Sequence, residues 1–77
     1  VVGSADRTVE IVLDSDVDAG ALASATWALT AKGFSTVVLV SIDRMGEAHA
    51  GLRGTPCRLQ GWWTIEDSVV FGAFETP

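Results

Sequence analysis

The chain is short of nearly every residue that carries chemistry or staples a small fold. Cys57 is its only cysteine in 77 residues, so no disulfide can close within the chain. One cysteine and one histidine, His49, fall short of the four ligands that a structural zinc site requires. Tyrosine is absent, and Lys and Arg together number 5 against 10 Asp and Glu, for a formal charge of −5. A chain so acidic is repelled by phosphate backbones and anionic lipid, which argues against nucleic acid and membrane surfaces as partners. No apolar run approaches the roughly 18 residues of a membrane span. The opening Val1-Val2-Gly3-Ser4 has neither the basic region nor the apolar core of a signal peptide. It also begins without Met, as a trimmed chain or a piece of a longer one would. A lone cysteine suits a reducing compartment, so the expected location is cytoplasmic.

The length admits one domain, residues 1–77, with residues 1–7 expected to form a loose N-terminal arm. A domain of this size buries only about 60% of its unfolded surface, and small folds need a supplement to their core. With disulfide and zinc excluded, subunit association is the remaining common device.

What is present is a strand–helix–strand unit. Thr8-Val9-Glu10-Ile11-Val12-Leu13 alternates, with Val9, Ile11 and Leu13 on one face. Val37-Val38-Leu39-Val40-Ser41-Ile42 is apolar on both faces, which predicts an interior strand covered on each side. Between them the pattern predicts a helix over residues 18–32, capped by Asp16 or Asp18 and stopped at Gly33. Leu22, Ala25, Thr26 and Leu29 form the expected sheet-facing stripe, leaving Ala23, Ser24, Trp27 and Ala31 opposite. No charge lies between Asp18 and Lys32, which is unusual for a surface helix and marks an apolar contact face. Residues 43–53 predict a weak second helix interrupted by Gly46 and Gly51. Residues 57–65 and 68–74 predict a hairpin turning at Glu66-Asp67. In it Leu59, Gly61, Trp63 and Ile65 share one face, Arg58, Gln60, Trp62 and Thr64 the other. The second strand would set Val69, Phe71 and Ala73 against Val70, Gly72 and Phe74. The expected fold is a small two-layer α/β (α+β) sandwich, β-α-β-(α)-β-β, with a four-stranded mixed sheet backed by one or two helices.

Three constellations invite a functional reading. The first is apolar: Trp27, Ala23 and Ala31 on the helix with Trp62 on the hairpin, read as an interface for self-association or for docking on a larger protein. The second is Trp62 with Arg58 and Gln60, read as a site where a planar ligand stacks and its acidic group pairs with Arg58. The third is Asp14-x-Asp16-x-Asp18 at the carboxyl end of the first strand, three carboxylates able to hold a hard divalent cation. The run Val12-Leu13-Asp14-Ser15-Asp16 resembles the opening motif of haloacid-dehalogenase-type phosphotransferases over these few residues alone. That resemblance implies Asp14 as nucleophile and Asp16 as general acid; helix capping is the simpler account of the same acids. His49, Cys57 and the loop Gly51-Leu52-Arg53-Gly54 lack the neighbours that would mark a base, a nucleophile or a phosphate loop. The reading that leads is a non-enzymatic, oligomerising or accessory domain, with no cofactor named.

Overall fold

The computed structural model describes residues 2–3 and 7–77. Among the described residues five strands form one sheet in chain order: β1 (Val2–Gly3), β2 (Thr8–Val12), β3 (Ser35–Ser41), β4 (Cys57–Ile65) and β5 (Ser68–Glu75). Strands β2, β3 and β4 run parallel, β1 is antiparallel to β2, and β5 is antiparallel to β4. The expected four-stranded mixed sheet is β2 to β5. Strand β1 adds a two-residue edge inside the segment expected to be a loose arm, and residues 1 and 4–6 of that arm lie outside the described residues.

The first crossover begins as a 3-10 turn, Ala19–Leu22, and continues as α1 (Ala23–Ala31). Asp18 caps it, its carboxylate accepting from the Gly20 backbone N–H at 3.3 Å. It ends at Lys32, and Gly33 takes the left-handed φ of 88° that a glycine adopts without penalty. The second crossover is a 3-10 turn, Ile42–Arg44, followed by α2 (Met45–Gly51), the weak helix expected near residues 43–53.

Both crossovers step across the sheet in the same direction, from β2 to β3 and from β3 to β4. Parallel strand pairs take right-handed crossovers, so two such steps put both helices on one face. The core shows this arrangement. Ala19 and Leu22 from the first crossover, with Met45, Ala48 and Leu52 from the second, pack on Leu13, Val38, Val40, Cys57 and Leu59 of the same sheet face. The two crossovers also touch one another. A Cβ on Gly51 would lie 2.8 Å from the Gly20 nitrogen and 3.0 Å from the Ala19 Cβ, so the approach needs a glycine.

The second cover of residues 37–40 is expected from residues 43–53 or from a partner subunit, and the first of these is not what the fold shows. Helix α2 lies beside α1, so neither helix covers the other face of the sheet, on which Val37 is buried, Leu39 half-buried and Val12 exposed. Helix α1 is also rotated from the expected stripe: Thr26 is buried and Leu22, Ala23, Leu29 and Thr30 are half-buried, while Ala25 is exposed. Thr26 tolerates burial because its Oγ1 donates to the Ala23 carbonyl at 2.8 Å.

Candidate functional site

The uncovered face is built from alternate residues of four strands. The register places Glu10, Val37 and Arg58 in one row across β2, β3 and β4, and Val12, Leu39 and Gln60 in the next but one. Ser41 and Trp62 form a third row. Strand β5 extends these rows with Phe74 opposite Gln60, Phe71 opposite Trp62, and Val69 opposite Thr64.

One irregularity decides which β5 side chains reach this face. Between the pairs Gln60 with Phe74 and Trp62 with Phe71, β4 contributes Gly61 alone while β5 contributes Gly72 and Ala73. The extra residue is a β-bulge, and past it the alternation of β5 is inverted. The strict alternation expected from the sequence sets Phe71 and Phe74 on opposite faces. The bulge brings both to the open one. Gln60 Nε2 donates to the Gly72 carbonyl at 3.0 Å, and the Arg58 guanidinium stacks on the Phe74 ring at 4.4 Å from its centroid.

Val12, Leu39, Trp62, Val69 and Phe71 line a shallow apolar depression of about 230 Å³ on this face. Val12 is 47% exposed, Val69 55%, and Phe71 and Phe74 each 52%, although all four stand on strands. A contiguous apolar patch of this kind is what partner-binding surfaces present. Apart from the Trp62 indole N–H, the five lining side chains offer no polar group. That composition lacks the few placed polar groups by which small-molecule sites fix orientation. Of the expected ligand-binding set, Trp62 lines the depression, Arg58 lies on Phe74, and Gln60 is engaged by the Gly72 carbonyl.

The expected interface residues are not brought together. Trp62 is on the open face, whereas Trp27 leaves α1 in the helical layer, so the sheet separates them. Trp27 is 55% exposed and Ala31 is exposed, but Ala23 packs against the core. Trp63 points to the helical side, where a Cβ on Gly72 would meet its ring at 3.3 Å.

The acids at the end of β2 do not converge. Asp14, Asp16 and Asp18 are all exposed, and among the described residues no group of three or more His, Cys, Asp or Glu is placed to hold a metal ion. Asp18 is the cap already described. Arg44, which sequence reasoning passed over, holds this loop: Nη1 donates to the Asp14 carbonyl at 2.6 Å and Nη2 to the Val17 carbonyl at 2.8 Å, while the guanidinium pairs with Glu47. His49 pairs with Glu75 at 2.8 Å, tying α2 to the end of β5. Cys57 is buried, with Thr55 Oγ1 at 3.1 Å from its sulfur. Neither is positioned on the open face.

Among the described residues no helix is long and apolar enough to cross a membrane. No family model matches the chain, and no curated protein and no solved structure matches it. The functional reading rests on the geometry of the sheet.

Proposed function

We propose that this chain is a non-enzymatic association domain that docks through the open face of its sheet. The observation that carries this reading is the depression formed by Val12, Leu39, Trp62, Val69 and Phe71, on the broad face that neither helix covers. A core built on one side only leaves a small domain marginal, and covering the second face removes further apolar surface from water. The bulge in β5 strengthens the case, since it adds Phe74 to the aromatic surface that regular alternation would turn away. The surface left for Trp27, Ala28 and Ala31 on α1 is a lesser apolar strip in the other layer. The ligand reading at Trp62 is weaker, because Arg58 and Gln60 are held by Phe74 and Gly72. The cation reading at Asp14, Asp16 and Asp18 is weaker still, as their side chains do not meet.

The test is a titration of the purified chain with an apolar dye, 1-anilinonaphthalene-8-sulfonate, run beside its mass in solution. Leu39→Asp places a charge in the middle of the face while leaving the helical core untouched. The wild type should either bind dye as a monomer or exceed its monomer mass of 8.1 kDa, and Leu39→Asp should abolish whichever is seen. A monomeric wild type that binds no dye sinks the reading.

A further inference from the structure

Resting on that reading, we infer that the occupant of the open face is a second copy of the same chain, docked sheet to sheet about a two-fold axis running along β3. The charge pattern of the face is self-complementary. Among the described residues, Glu10 is the one acid and Arg58 the one base at its strand positions. They stand in the same register row on either side of β3, with Val37 between them. Neither has an ion-pair partner: the salt bridges of the described residues are Arg44 with Glu47 and His49 with Glu75. Arg58 rests on the Phe74 ring and must keep that stacking while its outer N–H groups reach the partner.

A row reading acid, apolar, base is self-complementary under this operation. Rotation about β3 lays β4 of the partner over β2, so Glu10 meets the partner's Arg58 and Arg58 meets the partner's Glu10. Leu39, on the axis, meets its own copy, while Val37 is already buried within the chain. Such reciprocal contacts define an isologous two-fold interface, and roughly aligned strands are a standard way for two sheets to pack, about 10 Å apart.

Net charge does not oppose the contact. The chain carries −5, but Asp14, Asp16, Asp18, Asp43, Glu47, Glu66 and Asp67 all sit in loops, turns or helices away from the face, whose own strand charges cancel. Area sets the strength of the contact. Four strands about 4.8 Å apart and about 20 Å long give roughly 380 Å² per copy, or roughly 770 Å² in all, below the size of a stable interface and within that of a weak one. A contact of that size is a modest dimer that dissociates on dilution.

The test uses Glu10→Arg and Arg58→Glu, both at solvent-accessible positions, with circular dichroism to confirm folding. Each variant alone puts like charges opposite one another twice, and should raise the dimer dissociation constant by roughly tenfold or more. An equimolar mixture restores opposite charges at both contacts, so sedimentation should recover a species of twice 8.1 kDa containing one copy of each variant. The double variant carrying both changes should dimerise like the wild type. Wild type that remains at 8.1 kDa at millimolar concentration overturns the second copy as occupant; if it then binds dye through Leu39, the open-face reading itself survives. A wild-type dimer broken by Leu39→Asp but indifferent to both charge variants overturns the two-fold register while leaving the face in place.

Discussion

Gln60 on β4 donates through Nε2 to the Gly72 carbonyl on β5 at 3.0 Å, across the step where β5 carries one residue more than β4. A bulge leaves backbone groups without a ladder partner, and here a side chain from the neighbouring strand supplies one. The consequence reaches the surface, because the same step turns Phe74 toward Arg58 and Glu75 toward His49. Replacing Gln60 by Met keeps the length of the side chain but removes the donor. We expect a loss of roughly 1–2 kcal/mol, measured by urea unfolding. An unchanged midpoint would mean that water serves the Gly72 carbonyl equally well.

The two glycines of α2 should respond in opposite directions to the same change. A Cβ at Gly51 would collide with the Gly20 nitrogen and the Ala19 Cβ, whereas at Gly46 nothing lies within 4 Å. Gly51→Ala should therefore cost about 1–3 kcal/mol through overpacking. Gly46→Ala should stabilise by roughly 0.5–1 kcal/mol, because alanine loses less backbone freedom in a helix. Thermal melts of the pair decide the matter, and equal effects at the two positions would contradict the contact between crossovers.

The hairpin turn offers a gain of stability. Glu66 and Asp67 both hold positive φ, 46° and 68°, as a two-residue primed turn requires. Neither is glycine, so each carries the steric cost of the left-handed region. Asp67→Gly should stabilise by roughly 0.5–1 kcal/mol, read as a raised midpoint in urea. A lowered midpoint would show that the Asp67 side chain contributes more to the turn than its backbone costs.

Much of this architecture is legible in the residues themselves. Alternation in Thr8 to Val12, the apolar run of β3 and the Glu66-Asp67 turn lead to the observed strands, and Gly33 marks the end of the first crossover. The rotation of α1 is not legible. Alanine, serine and threonine surround that helix, so Ala23 and Ala25 look alike until the packing of Leu22 and Thr26 distinguishes them. The bulge is silent for a similar reason, since Gly72-Ala73 fits a regular strand as readily as an irregular one. The handedness of two successive crossovers places α2 beside α1, whereas the apolar residues of β3 leave open whether residues 43–53 or a partner subunit covers its second face. Leu39 lies on the face that neither helix covers, and Leu39 and Val12 belong to the candidate site for that reason. The role of Arg44 is not legible because its partners are backbone carbonyls, which no side-chain pattern announces.

The most direct test compares the solution mass of three proteins by light scattering over a dilution series: wild type, Leu39→Asp on the open face, and Trp27→Glu on α1. Wild type should exceed 8.1 kDa at high concentration, Trp27→Glu should match it, and Leu39→Asp should stay at 8.1 kDa with its fold intact. Dissociation by Trp27→Glu, with Leu39→Asp still associated, would place the contact on the helical layer and contradict the account.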